Sequence, residues 1–413
     1  MHRVRQSINY YEKYGWQPII ISVDPRDTEA YKDETLLETI NSDINRNIVR
    51  IPPPGLTRKF GLGSIALRSL IPIYKQGNIL IEKYRPDLIF FSTTQFPIMT
   101  LGRLWKSKWN IPYVLDFQDP WHTEHYMKLP KNQRPPKYWF SYRLNKFLEP
   151  GALQNASGLI SVTEAYIKTF HERYPLTQKI PYKIIPFGAS ERDIDIKFNK
   201  YLPEFFDSGI MHKKQKIVYT GVINNEMLPI IELLFQAFDQ IRKENILLLK
   251  NYCVAFIGTN YGSGKNKHSK LADLVAKYNL KDFVFEYEER LGYVATLQTQ
   301  KKASILLLCG TTDKDYIASK LAPYMLSGNP ILSIYHGNSA LAEALNSEPR
   351  IEKVFFYKID EIKSLKDIVI NKIKKIIGNE AEYHLKPISY PEKYSAEILT
   401  EQQTQLFNAA LTM

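Results

Sequence analysis

The sequence predicts an α/β protein built from two doubly wound units, each a parallel sheet with helices on both faces. Three observations predict it. Short apolar runs alternate with amphipathic stretches through both halves, a polar irregular stretch separates the two series, and one run ends abruptly in acids. The chain has 413 residues, 44% hydrophobic and 24% charged, a globular composition too long for one small core.

In the first half the apolar runs are Pro18 to Val23, Asn47 to Ile51, Leu88 to Ser92, Tyr113 to Asp116, Gly158 to Val162 and Tyr182 to Pro186. Runs this short, spaced by helical segments, read as buried parallel strands. Between them Arg3 to Tyr14, Ile65 to Tyr84, Ile98 to Trp109 and Thr163 to Tyr174 carry helical spacing, and Ser161 with Glu164 fits a capping box. Glu191 to Gln215 reads as a linker. The rhythm then restarts with strands at Ile217 to Thr220, Cys253 to Gly258, Phe283 to Tyr287, Ser304 to Cys309, Pro330 to Tyr335 and Val354 to Tyr357. Helices are expected at Leu228 to Arg242, Lys270 to Tyr278, Gly292 to Lys302, Ser319 to Leu326, Ser339 to Leu345 and Ser395 to Leu411.

The expected organisation is a first domain over 1–190, a linker over 191–215, a second domain over 216–385, and a terminal segment over 386–413 whose helix crosses back to the first domain. Two cysteines, Cys253 and Cys309, sit in apolar runs and suit reduced thiols rather than a disulfide or metal framework. A cytoplasmic location is the matching expectation, at most peripheral at the inner face of a membrane. No run has the length to span a bilayer, and no signal-peptide core follows the first residues. The net charge of +12 favours anionic partners, but no finger, helix-turn-helix or RNA-recognition pattern supports nucleic acid.

Chemistry concentrates at Tyr113-Val114-Leu115-Asp116-Phe117-Gln118-Asp119-Pro120-Trp121, a strand that runs into two carboxylates. Ligands of open α/β sheets bind beyond such strand ends. Asp116, Asp119 and His122 share this turn, and a carboxylate or imidazole there can accept a hydroxyl proton or stabilise a cationic sugar. Asp119 is the first choice. A structural role for Asp116, satisfying loop amides, is an equal alternative, and a lone histidine such as His122 is commonly just polar surface. Asp116 to Trp121 differs by one residue from the Asp-Phe-Arg-Asp-Pro-Trp of the glycosyltransferase family 4-like group, which it resembles. That group has the GT-B fold, two Rossmann-like domains whose parallel sheets face a cleft.

A second segment, Ser319-Lys320-Leu321-Ala322-Pro323-Tyr324-Met325-Leu326-Ser327-Gly328-Asn329-Pro330, follows the strand ending at Cys309. Ser319 is expected to cap a short helix whose amide end and Lys320 attract a diphosphate. The segment resembles the group's Lys-Leu-x-Glu-Tyr-Leu-x-x-Gly-x-Pro-Val-Leu, which lies against the nucleotide diphosphate, so the resemblance implies donor contacts at Ser319, Lys320 and Leu321. It places the group's two donor-binding acids at Asp315 and, by replacement, at Pro323. Gly221 permits close backbone approach to a phosphate, while Val222 to Glu226 offers amides where relatives carry a cation. Gly258 to Asn266 is similar in outline to a phosphate loop, but its spacing is one residue too long and Asn266 replaces the Mg²⁺-holding hydroxyl; a flexible connection is expected there.

The resemblance implies a sugar transferred from a nucleotide-sugar donor to a glycan or lipid-linked hydroxyl acceptor, in polysaccharide or glycolipid assembly. It also implies retention and no metal or other cofactor. It further implies that the first strand of the first sheet is missing, because relatives place a strand and a Gly-rich loop before the helix at His2-Arg3; a truncated or misassigned start is the expectation. A nucleotide-sugar epimerase of the same fold and a catalytically inactive binding protein are the two alternatives. Basic amphipathic segments at Phe60 to Tyr74 and Tyr138 to Phe147 suit either anionic lipid or ordinary half-buried helices.

Overall fold

A computed structural model of the chain describes residues 2–24, 33–41, 43, 47–52, 64–124, 127, 131, 134, 138–194, 202–260, 269–314, 316, 318–379, 382–383 and 390–412. Asp315, residues 195–201 of the expected linker, 60–63 of the first amphipathic segment and 261–266 of the phosphate-loop look-alike lie outside them. The chain divides into two compact units. One comprises Met1–Lys32, Ile40–Phe187 and Ala396–Met413, the other Asp33–Thr39 and Gly188–Ser395.

In the first unit β1 (Ile20–Val23) and β2 (Ile48–Ile51) form a parallel pair, and β3 (Ile89–Ser92), β4 (Tyr113–Phe117), β5 (Gly158–Ser161) and β6 (Tyr182–Ile184) form a parallel sheet in that order. Among the described residues the two sheets do not pair with each other. Every residue of β4 is buried, because both faces of the sheet are covered. The helices Ile65–Tyr84 and Leu101–Trp109 contribute Ala66, Ile73, Ile81 and Trp105 to one core. On the other face the terminal helix Ala396–Leu411 lays Leu399, Leu406 and Phe407 against Val114 and Ile160.

The apolar stripe of the first amphipathic segment is turned inward, with Ala66, Ser69, Ile73, Gly77 and Ile81 buried, so core packing accounts for it. The expected capping box at Ser161 is replaced by a simpler arrangement. Thr163 caps the helix Glu164–Arg173 by accepting from the Ala165 amide at 3.3 Å, while Ser161 Oγ donates to the Thr163 carbonyl. The helix Tyr138–Leu153 continues past the aromatic segment through Pro150.

The second unit carries β7 (Gln215–Thr220), β8 (Tyr252–Ile257), β9 (Val284–Tyr287), β10 (Ile305–Cys309), β11 (Ile331–His336) and β12 (Ile351–Phe356). They form one parallel sheet in the order β12-β11-β10-β7-β8-β9. The order reverses direction at β7 and β10, which places a topological switch point at their carboxyl ends, where open α/β sheets bind ligands. Leu228–Glu244 and Lys366–Gly378 cover one face with Ile230, Leu234, Phe238, Val369 and Ile373. Part of the expected linker packs on the other face of the sheet with Val218, Ala255 and Leu306: Phe206 is fully buried, with Lys216 Nζ 4.9 Å from its ring centre. An aromatic of that size gains more from burial than from lying along a connection. Both cysteines are free and buried, and burial pushes the Cys253 thiol up to about 11 and the Cys309 thiol to about 12.

Candidate functional site

The carboxyl end of β4 separates its three polar residues into different environments. Asp116 is fully buried. Its Oδ2 accepts from Ser92 Oγ at 2.6 Å and Gln118 Nε2 at 2.8 Å, and Arg3 Nε lies 2.9 Å away. The Arg3 approach is an ion pair without directed hydrogen-bond geometry, and Asp116 Oδ1 has no hydrogen-bond partner. Arg3 is itself buried and donates through Nη2 to the Ile185 carbonyl at 2.7 Å and through Nη1 to the Pro186 carbonyl at 3.4 Å. The acid therefore ties the helix His2–Ser7 to the ends of β3, β4 and β6.

His122 is also buried. Its ring Nδ1 lies 3.1 Å from Arg173 Nη1, and a guanidinium only donates, so Nδ1 accepts and the proton sits on Nε2. Nε2 has no hydrogen-bond partner. Burial, then the charges of Arg173 and Lys146, lower the imidazole pKa and keep it neutral. The backbone around it is clamped: the His122 amide donates to Glu149 Oε1 at 3.2 Å and its carbonyl accepts from Arg173 Nη1 at 2.7 Å. Glu149, fully buried, also accepts from Tyr174 Oη at 2.8 Å, and burial raises its pKa. Trp121 anchors the same turn by donating to Asn145 Oδ1 at 3.1 Å and stacking on Phe96.

Asp119, between these two fixed points, is exposed. Burial of part of its carboxyl raises its pKa above the ordinary value of 3.8. It is the acid of this turn left to meet a solute. Sequence reasoning missed Arg3, Glu149, Arg173 and Tyr174. The available signal was an acid and a proline, Glu149-Pro150, inside an apolar aromatic run, a position where a carboxylate needs a buried partner.

In the second unit the switch point is built from β7. Gly221 follows it with φ +122°, a conformation side chains rarely adopt, and its amide donates to the Ile257 carbonyl at 2.8 Å. A Cβ on Gly221 would stand 3.1 Å from Lys320 Nζ. That ammonium lies 3.9 Å from the centre of the Tyr219 ring, and no carboxylate among the described residues pairs with it. Lys320 is half-buried, and burial lowers its pKa to about 8. The strand end is rigid: the Thr220 amide donates to Tyr324 Oη at 3.1 Å, and Gln300 Nε2 donates to Thr220 Oγ1 at 2.9 Å. Tyr335 Oη bridges the loop before Lys320, accepting from the Ala318 amide and donating to the Tyr316 carbonyl.

The expected cap at Ser319 is not formed. The helix runs Leu321–Ser327 with Lys320 in the cap position, no side chain caps it, and Ser319 is exposed. The reason is local: the first helical hydrogen bond runs from the Tyr324 amide to the Lys320 carbonyl at 3.0 Å, so Lys320 rather than Ser319 stands at the cap. Leu321 is buried among the core residues and reaches no surface. Pro323 falls in the first turn, where its missing N–H costs no helical bond. The loop after Gly221 gains a cation unseen in sequence, because Lys270 Nζ donates to Asn225 Oδ1. Among the described residues no group of three or more His, Cys, Asp or Glu has metal-holding geometry, and no helix is long and apolar enough to cross a membrane.

Residues 3–189 match Glycosyltransferase Family 4. With the two parallel-sheet units, that match defines the class as a glycosyltransferase of the GT-B fold. A search of curated proteins returned no match. Among solved structures, sucrose-phosphate synthase (tll1590) from Thermosynechococcus elongatus is similar at TM-score 0.61 and 15% identity, covering 99% of this chain and 92% of its own. A glycosyltransferase from Rickettsia africae ESF-5 is similar at 0.60 and 12%, covering 99% and 94%. Anabaena Alr3699/HepE, solved with UDP and glucose, is similar at 0.57 and 13%, covering 91% and 89%. At these identities the likeness is one of fold.

Proposed function

We infer that the protein moves a sugar from a nucleoside-diphosphate donor to a hydroxyl acceptor, a glycan or a lipid-linked glycan, in polysaccharide or glycolipid assembly. The observation that carries this reading is the Lys320 ammonium, held over Tyr219 at the switch point with no carboxylate partner among the described residues. A half-buried cation with no acid beside it is costly unless an anion completes it. A diphosphate suits that vacancy in charge, and Gly221 leaves its backbone open to close approach. On this reading Lys320 neutralises the charge that builds on the departing nucleotide, with no metal required, and the anomeric configuration of the sugar is retained. Asp119 accepts the acceptor hydroxyl's proton, while Asp116 and His122 position the turn. Asp315 is proposed to contact the donor as well.

Titration with a nucleoside diphosphate tests the donor half. The Lys320→Met variant keeps an apolar stem over Tyr219 and removes the charge, and is expected to weaken binding by roughly ten- to a hundred-fold, on the order of 1.5–3 kcal/mol. The sign with pH follows from the lowered pKa of about 8. Below pH 8 the ammonium is present and affinity is flat. As pH rises above 8 the free protein loses the proton, so affinity falls and binding takes up a proton. Calorimetry in buffers of different ionisation enthalpy reads that uptake. Equal affinity of the variant and the parent across this range removes Lys320 from the site. Donor turnover with acceptor, chelator and anomeric analysis of the product tests the remainder, and turnover of donor alone to an isomer favours an epimerase.

A further inference from the structure

The helix Tyr138–Leu153 has two faces with opposite demands. Its inner face holds the β4 turn through Asn145 on Trp121, Tyr142 at 4.7 Å from the His122 ring, and Glu149 on the His122 amide. Its outer face carries Trp139, Phe140 and Phe147 at 65%, 48% and 78% exposure. Positions 139, 143 and 147 recur every four residues, so they share one side of the helix. Arg143 lies on this side, 5.6 Å from the Trp139 ring centre, and Lys146 flanks it, its ammonium 5.9 Å from the Tyr142 ring centre; both are exposed and positive. The helix's one acid, Glu149, is fully buried on the other side.

We propose that this outer face docks onto an anionic lipid surface. Solvent exposes three large aromatics on one helix only at a cost, and contiguous exposed apolar area marks an interaction site. Charge decides the occupant. Two exposed cations and no exposed acid on the helix itself suit an anionic headgroup layer, into which Trp and Phe rings insert while Arg and Lys remain at the phosphates. A second copy fits poorly, because a two-fold axis through this face brings Arg143 and Lys146 of one chain toward those of the other. The other apolar residues exposed on short turns, such as Ile246 and Leu247, have no comparable aromatic-cation stripe.

The test is vesicle sedimentation with the full chain, and it needs no donor or acceptor, so its result is separate from the transferase reading. Vesicles of neutral phosphatidylcholine are compared with vesicles containing about 30 mol% phosphatidylglycerol. The parent chain is expected to bind the anionic vesicles at least about tenfold better and to lose that preference in high salt. Arg143→Gln with Lys146→Gln should weaken the anionic binding about thirty-fold. Trp139→Ala with Phe147→Ala should weaken it as well, whereas Leu247→Ala should not. Circular dichroism checks that these surface variants remain folded. Equal binding to both vesicles, unchanged binding of both double variants, or loss on Leu247→Ala overturns the proposal. So does self-association in sedimentation velocity that depends on Phe147 in a chain that ignores vesicles.

Discussion

Asp119→Asn is expected to lower kcat by about 10²- to 10⁴-fold, the range a positioned general base supplies, with donor affinity and thermal midpoint unchanged. The expectation rests on the division of labour at the end of β4. Asp116 is held by Arg3, Ser92 and Gln118, and His122 presents a fixed neutral tautomer with its accepting nitrogen against Arg173. Neither has a free basic atom facing solvent. Asp119 does, being exposed between them. Because burial raises its pKa above the ordinary carboxylate value, the acid limb of kcat/KM is expected at higher pH than for a free aspartate. Activity needs the ionised form, so it falls as pH drops through that raised pKa. The measurement is a pH profile of both chains with saturating donor. An asparagine variant of full activity, or a profile with no acid limb above the ordinary range, assigns the proton to another group.

The second large effect is on stability. Arg3→Ala is expected to destabilise the first unit by about 3–5 kcal/mol, because it leaves a charge buried without its partner. Asp116 has 0% exposure and Arg3 6%, so water does not replace what is removed. Asp116→Ala should cost a similar amount, through the stranded guanidinium and the lost acceptor of Ser92 and Gln118. The Arg3→Met, Asp116→Leu pair should cost much less than the sum of the two alanine variants, since apolar groups of similar volume leave no buried charge. Urea unfolding followed by a probe in the first unit reads these differences. An Arg3→Ala chain within about 0.5 kcal/mol of the parent, the ordinary range for surface changes, shows that the pair carries no stability. Glu149 belongs to the same kind of architecture, with its carboxylate spent on the His122 amide and the Tyr174 hydroxyl.

Much of this molecule was legible before folding. All twelve apolar runs read as strands are strands, with ends shifted by a few residues, because a strand buried on both faces must be continuously apolar whatever its neighbours are. The helix Lys366–Gly378 is absent from the expected elements, although it buries Val369, Ile370, Ile373 and Ile376; its lysines interrupt the apolar spacing, and Lys372 and Lys375 pair with Glu352. Asp119 was visible as an acid just beyond an apolar strand, and Lys320 as a cation opening a short helical segment. Ser319 was misread as a cap because a hydroxyl before a helical segment is a common signal, and only the folded backbone decides which carbonyl accepts the first helical hydrogen bond, here that of Lys320.

Local periodicity and strand-end charge, both properties of neighbouring residues, are what the sequence determined by itself: two parallel sheets and the strand ends where polar chemistry collects. Partnership was decided by the tertiary structure. Arg3 meets Asp116 only because the first helix lies over the ends of β3, β4 and β6, and Lys320 meets Tyr219 only because β10 is inserted beside β7 rather than after β9. Strand order and the burial of charges depend on which faces close over one another, and a buried ion must find its counterpart across the chain. That requirement, rather than any motif, separates the acid that holds the fold from the acid left exposed to solvent.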